Sequence, residues 1–380
     1  MPLRDALANV DPYRPQPPMA VLQAQLGLER MIKLASNEGA FGPLPEAVEA
    51  YEAVAGDLHR YPDGGGERLR AALAELYDLP AEQVVLGNGA DELIRLCGAA
   101  ALDAGDAAVL PWPSFPSYLS AAGCHGADAV QVGLRDRAFD LDAVLAALEG
   151  PAPGGGRRRL VFLANPNNPT GTLIDRAELR AFLDALPGDV LCVLDEAYAE
   201  YAEPEPEGPD LVREGHPRLC VLRTFSKVYG LAGLRVGYAL ASAEVAEALG
   251  RVRPIFNVNT AAQAAAAASL AGRDALAERV AHTRAARMDL RDTLAEAGLS
   301  PVSSQANFVY ADVPGGDGSG LAEQLLRAGF IVRALDGFGA AGAIRVTCGK
   351  DEENAAFAHA LTEVLGRRGA RRDAAERRDR

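Results

Sequence analysis

Short apolar, β-branched runs recur along the first two-thirds of the chain: QVVLG at 83–87, AAVLP at 107–111, LVFLA at 160–164, VLCVLDE at 190–196 and LCVLR at 219–223. Segments with helical spacing, such as DLDAVLAALEG and DRAELRAFLDAL, separate several of them. Strands that alternate with helices point to a mostly parallel α/β sheet, because parallel neighbours need a long crossover between them. Runs apolar on both faces fit strands covered on both sides. Polar or glycine-rich groups follow the runs: GNGADE, NPNNPTG, DEAY and TFSK. In such sheets ligands bind beyond the carboxyl ends of the strands, so these four groups predict one shared site.

After residue 257 the texture changes. TAAQAAAAASLAGRDALAERVAHTRAARMDLRDTLAEAG is alanine-rich and predicts long helices. NFVYADV, FIVRAL and AIRVTCG then predict three short strands, which with the helices make a second, smaller α+β domain. The division expected is residues 1–44 as an N-terminal arm and part of the small domain, 45–265 as the large domain, 266–368 as the small C-terminal domain, and 369–380 as a charged tail. The ending RRGARRDAAERRDR reads as a solvated helical end rather than a binding segment. PAPGGGRRR at 151–159 reads as a flexible loop.

Several function classes are set aside. The 380 residues, 49% hydrophobic, suffice for two lobes. No run of eighteen apolar residues is present, and the start, MPLRDALANVDPYRPQPP, lacks the apolar stretch of a secretory signal. The expectation is therefore no membrane partner. A net charge of −14 argues against nucleic acid, which leaves a basic footprint on its binders. Cys97, Cys124, Cys192, Cys220 and Cys348 form no CxxC pair and fit reduced thiols in a cytoplasmic protein. The five histidines show no ligand spacing, so no metal site is assigned. YPDGGGERLR and PAPGGGRRR lack the GK[ST] ending of a P-loop, and no GxGxxG follows a strand.

Lysine occurs only at 33, 227 and 350; every other strong cation is arginine. Lys227 stands at the end of an apolar run, just before a glycine-rich turn, where a cation is costly without work or a partner. An amine, unlike a guanidinium, forms a Schiff base with a carbonyl, and burial raises its unprotonated fraction. Thr224 and Ser226 offer hydroxyls beside it, and Arg235 a planar cation, the donors that a phosphate monoester needs. Asp195 also ends an apolar strand. Its plainer reading is a helix cap; the functional one is a partner for a buried cation such as a protonated pyridine nitrogen. NPNNPTG is a tight turn on its plainer reading, and a place for the Asn168 amide on the functional one. GNGADELI opens a helix whose backbone N–H groups suit a phosphate, although Asp91 also fits a simple cap.

NPNNPTG, DEAY and TFSKVYGLAGLRVGY, in this order, resemble the fold-type-I pyridoxal-phosphate-dependent aminotransferases, and more narrowly the histidinol-phosphate aminotransferases. IKLASNEGAFGPLPEAV, RYPDGGGERLR, LGNGADELI, PSFPSY, GFIVRAL and AIRVTCG extend the resemblance over about residues 10 to 365. It implies pyridoxal 5′-phosphate as cofactor, bound by the large domain. Lys227 would carry it covalently and shuttle a proton, Asp195 would pair with the ring nitrogen, and Tyr198 and Asn168 would hold the ring oxygen. Ala90, Asp91, Thr224, Ser226 and Arg235 would hold the phosphate, and Phe115 would stack on the ring. Tyr61 would reach the cofactor phosphate of a partner subunit, which makes a homodimer the expected unit.

The resemblance also implies small-molecule substrates: an amino-acid or amino-alcohol phosphate and a 2-oxo acid. Arg345 would clamp a carboxylate and Arg333 would bind the substrate phosphate. Tyr13, Asn37 and Asn168 fall at substrate-side positions. An aromatic aminotransferase shares nearly all these motifs, and an amino-acid phosphate decarboxylase uses the same scaffold. One departure stands out. The family usually reads NENPFGPSP where this chain reads NEGAFGPLP, so Gly39 and Ala40 predict a looser loop at the substrate entrance.

Overall fold

The apolar runs form strands close to where the sequence places them. The computed structural model describes residues 3–12 and 17–376. In chain order the strands are β1 (Ile32–Lys33), β2 (Val84–Gly87), β3 (Ala107–Trp112), β4 (Asp128–Gly133), β5 (Arg158–Ala164), β6 (Leu191–Asp195) and β7 (Leu219–Thr224). They continue with β8 (Gly237–Ala241), β9 (Ser300–Pro301), β10 (Phe308–Asp312), β11 (Phe330–Ile331), β12 (Arg333–Ala334) and β13 (Ala343–Thr347). Among the described residues, seven strands make the central sheet, in the order β2-β8-β7-β6-β5-β3-β4. Neighbours from β7 to β4 run parallel, and β8 runs antiparallel between β2 and β7.

Both faces of this sheet are buried, as apolar runs without alternation require. Val109, Val161, Leu163, Cys192 and Leu194 face one apolar core, while Ala108, Leu110, Leu160, Phe162 and Val193 face another. Successive residues of a strand point to opposite faces, so each run feeds both cores. The helix Arg176–Ala185 shows how the covering layer is fixed. Asp175 caps it by accepting from the N–H groups of Ala177 and Glu178, and Leu179, Phe182 and Leu183 turn inward. Each such side chain, fully buried, stabilises the fold by about 1.5–3 kcal/mol.

The alanine-rich stretch forms the helices Thr260–Ser269 and Arg273–Glu296, the first capped by Asn259. The longer one packs Ala286, Leu290 and Leu294 into a core with Val309, Leu325, Val346 and Phe357. Ile32 and Leu34 of the N-terminal segment enter that core too. Two expectations need correction. FIVRAL is not one strand: β11 pairs with β1 in parallel, and β12 pairs antiparallel with β13. A break at Val332 lets one short run serve two sheets. The strands β4 and β8 fall outside the expected runs. β4 has half-exposed residues along its length, and β8 lies inside a glycine-rich motif that reads as a turn.

Candidate active site

The site lies at the carboxyl ends of the parallel strands. Asp195 is the last residue of β6 and Thr224 the last of β7. Lys227 follows β7 in a turn; its Nζ reaches the Ser36 carbonyl oxygen at 3.4 Å and lies 5.3 Å from the centre of the Tyr198 ring. Burial, and then the Arg345 guanidinium, pull the Lys227 amine down to about 8.

The expected looser loop at Gly39 is not what the structure has. A Cβ on Gly39 would sit 2.5 Å from the Lys227 carbonyl oxygen, so the backbones are in direct contact there. Glycine at 39 permits this approach and ties the entrance segment to the lysine turn.

Asp195 is buried and its carboxyl is pushed up by burial, against the pull of the hydrogen bonds it receives. Its Oδ2 accepts from the Tyr118 hydroxyl at 2.7 Å and its Oδ1 from the Ala197 N–H at 3.1 Å. The same cause drives Asp195 up and Lys227 down: each is held in a medium that disfavours its charged form. A cationic ring nitrogen beside Asp195, and a covalent bond to the lysine nitrogen, would relieve both.

A second group of residues offers donors of the kind a phosphate needs. The helix Gly89–Ala101 begins here without a side-chain cap, leaving its first N–H groups to face the site. A Cβ on Gly89, whose φ is 76°, would lie 2.6 Å from Arg235 Nη2, so the guanidinium sits against the helix start. Thr224 Oγ1 donates to Ser226 Oγ at 3.0 Å and accepts from the Ser226 N–H at 3.1 Å, which sets both hydroxyls beside the lysine turn. Asp91, one residue after Ala90, is itself held by the Ser117 hydroxyl and by Arg95. Phe115 follows β3 and meets Tyr118 edge-on, with centroids 5.8 Å apart. An uncapped helix start, two hydroxyls and a guanidinium fit a phosphate dianion, and Lys227 and Asp195 fit the ring that carries it.

A third group joins the small sheet to the large one. Arg345 on β13 donates from Nη1 to Asn168 Oδ1 and from Nη2 to the Ala35 carbonyl oxygen at 2.7 Å. Its ring neighbours are Phe308 and Phe338, at 5.1 and 5.2 Å, and burial pulls it down to about 10. Arg333 on β12 is its cross-strand partner. Directly opposed residues of an antiparallel pair share a face, so the two guanidinium groups stand together. Asn37 donates from Nδ2 to the Tyr198 hydroxyl at 2.9 Å, and its Oδ1 accepts from the Thr347 hydroxyl at 3.1 Å. Asn37 and Arg235 both hold positive φ, 53° and 58°, in a region where strain collects at working sites.

Two expected site residues stand apart. Tyr61 is 82% exposed and stacks on Phe256, with centroids 4.7 Å apart. Tyr13 lies outside the described residues. Sequence reasoning missed Tyr118, Thr347 and the Ser36 carbonyl. Thr347 had a signal, since it lies two residues after Arg345 on one strand and so shares its face.

A mostly parallel sheet with a lysine, a buried aspartate and donors suited to a phosphate at its carboxyl edge is the arrangement of a fold-type-I, pyridoxal-phosphate-dependent aminotransferase. The model of the family described as aminotransferase class I and II matches residues 29–361. Histidinol-phosphate aminotransferase from Anaeromyxobacter sp. (strain Fw109-5) is 44% identical over 362 residues, covering 95% of this chain and 98% of that protein. Histidinol-phosphate aminotransferase 2 of Pseudomonas aeruginosa is also 44% identical, over 94% of this chain and 96% of its own length. Among solved structures, histidinol-phosphate aminotransferase from Sinorhizobium meliloti in complex with pyridoxal-5′-phosphate superposes with a TM-score of 0.85. The identity there is 32%, over 96% of this chain and 97% of that one. The chain belongs to the class I and II aminotransferases and, within them, to the histidinol-phosphate aminotransferase family.

Proposed function

We propose that this enzyme transfers an amino group between histidinol phosphate and 2-oxoglutarate, with imidazole-acetol phosphate and glutamate as the other pair, in histidine biosynthesis. The observation that carries the substrate choice is the cross-strand pair Arg333 and Arg345. One arginine serves the carboxylate of any amino acid. A second on the same face selects a second anion, and a guanidinium fork suits a phosphate.

Pyridoxal 5′-phosphate, when bound, supplies the carbonyl that carries the amino group and the ring that withdraws the electron pair. Lys227 holds it between turnovers. With substrate bound, Lys227 Nζ would move the proton at the substrate carbon that bears the amine. An amine near 8 is partly unprotonated at neutral pH, which suits a proton acceptor. Asp195 keeps the proton on the ring nitrogen. Tyr198 and Asn168 orient the ring oxygen, and Phe115 packs on the ring face. The N–H groups at Ala90 and Asp91, with Thr224, Ser226 and Arg235, hold the cofactor phosphate. Arg345 takes the glutamate carboxylate, Arg333 takes the phosphate of histidinol phosphate, and Asn37 orients the substrate through Tyr198. The two half-reactions alternate in ping-pong order.

A half-reaction tests the substrate reading. The holoenzyme is mixed with histidinol phosphate or with phenylalanine, without an oxo acid, and the visible absorbance of the lysine-bound cofactor is followed. Rapid loss with histidinol phosphate alone is expected; a preference for phenylalanine would replace this reading with an aromatic aminotransferase. Arg333→Ala should raise KM for histidinol phosphate about 10- to 100-fold, the worth of a charge-assisted hydrogen bond, with a far smaller change for glutamate. Equal losses for both substrates would remove Arg333 from the phosphate.

The functional unit we propose is a homodimer. Tyr61 stacks on Phe256, and Leu58 and Ile255 are likewise exposed apolar side chains; a second copy covering the Tyr61 stack would bring Tyr61 to the partner's phosphate cradle. Tyr61→Phe keeps the apolar ring and should weaken cofactor affinity about tenfold, while sedimentation still gives a dimer. A fully active monomer would sink this assignment. A cytoplasmic setting belongs to the same proposal, supported by five cysteines that are all free thiols. Among the described residues, no helix is long and apolar enough to cross a membrane.

A further inference from the structure

We infer that Tyr118 is a positioning residue for the reaction: its hydroxyl, 2.7 Å from Asp195 Oδ2, holds that carboxylate ionised and aimed, so that the proton stays on the ring nitrogen of the cofactor. The inference rests on the proposed place of Asp195 at that nitrogen.

The topology makes the contact specific. Asp195 ends β6, whereas Tyr118 opens out of the helix Ser117–Gly123 that follows β3. In the sheet, β5 lies between them. Tyr118 spans that gap by lying flat on Phe162 of β5, with centroids 4.7 Å apart and planes 8° apart. Phe115 closes its edge at 5.8 Å. The ring is fully buried, so its hydroxyl has no route to water and stays on Asp195.

The sign of the effect follows from which form the bond favours. A hydroxyl that donates to a carboxylate stabilises the ionised form and lowers its hunger for a proton. Burial acts the other way on Asp195, and Asp91 adds to burial, while Lys227 and the Ala197 N–H act with Tyr118. Tyr118 keeps its own proton, because burial and the Asp195 charge push the phenol well above its ordinary value. It is therefore a donor at every working pH. Without it, the proton shared between Asp195 and the ring nitrogen moves toward the carboxylate, and the ring loses part of its electron-withdrawing power.

The test is nitrogen-15 NMR of the holoenzyme loaded with ring-labelled pyridoxal phosphate, alongside cofactor titration of the apoenzyme. In the native enzyme the signal is expected at the protonated-pyridine position. Tyr118→Phe keeps the stack and removes only the hydroxyl. It should move the signal toward neutral pyridine, weaken cofactor affinity about tenfold and lower kcat about tenfold with KM for glutamate little changed. Phe162→Leu loosens the stack but keeps the hydroxyl, and the signal should stay in place. A shift with Phe162→Leu as large as with Tyr118→Phe would reduce Tyr118 to packing and overturn the inference. Asp195→Asn separates the two levels. If it moves the signal while Tyr118→Phe does not, the role of Tyr118 alone fails. If Asp195→Asn leaves the signal in place, the assignment of Asp195 fails, and this inference with it.

Discussion

Lys227→Ala is expected to lower turnover of histidinol phosphate by at least about 10^4-fold, because one amine both anchors the cofactor and moves the proton. No other side chain can take over. Lys33 is tied to Glu38 at 2.8 Å, Lys350 lies beyond the small sheet, and arginine does not release its proton in this range. The fold should survive. The folded protein holds this amine down to about 8 against an ordinary 10.5, so burying it opposes folding while the unfolded chain binds the proton. Between about 8 and 10.5 the unfolded state binds more protons, so the Lys227 penalty shrinks as pH rises through that window. Alanine has no such penalty. Apoenzyme Lys227→Ala should therefore melt at or above the native apoenzyme at pH 7, and the advantage should fade toward pH 10. Thermal melts of the two apoproteins, with single-turnover kinetics, check both halves. Near-native turnover in the variant would remove Lys227 from the chemistry altogether.

The charge distribution bears on what the site accepts. The chain carries a net charge of −14, yet Lys227, Arg235, Arg333 and Arg345 meet at one site. Burial pulls both Lys227 and Arg345 down, and the Arg333 charge adds to the effect on Arg345. Such a cluster is costly in isolation and is relieved by anions. Two phosphates and a carboxylate, from cofactor and substrates together, match it. The net charge of −14 also disfavours large polyanions.

How legible the site was depends on how far apart its partners lie in the chain. Asp195 and Thr224 were readable because a polar residue at the end of a doubly buried strand has few other reasons to be there. Lys227 was readable from its rarity and its turn. Tyr118 was not, since its contact with Asp195 spans 77 positions and depends on β3 lying two strands from β6. The Asn37 to Thr347 bonds span 310 positions, and no local pattern announces them. Gly39 misled for a related reason. Composition reads glycine as freedom, while here the missing Cβ is what lets the backbone touch Lys227. The fold failed in the same way at β8, whose GYALA run is short and follows a glycine turn, and whose place between β2 and β7 is a long-range choice.

Asp195→Asn should cost about 10^2- to 10^4-fold in kcat/KM, the range for losing one partner of a buried charge pair, about 3–5 kcal/mol. Asparagine keeps the shape and can still accept from the Tyr118 hydroxyl, so the loss isolates the charge. The apoenzyme responds with the opposite sign. The folded state raises the Asp195 carboxyl above its ordinary 3.8, chiefly through burial. Stability linked to this group is then fully present below about 3.8 and is lost as pH rises through the raised value, because the folded state binds the proton longer. Above that raised value the native apoenzyme carries the whole penalty and the asparagine variant carries none. The variant should melt at or above the native apoenzyme at pH 7 and lose that margin as pH falls toward 4. Saturating cofactor should reverse the order, since it binds the folded native protein more tightly and adds that free energy to its stability. Melts with and without pyridoxal phosphate, at pH 5 and pH 7, read this crossing directly. If the variant melts below the native protein in both forms, Asp195 is a structural cap and not the partner of the ring nitrogen.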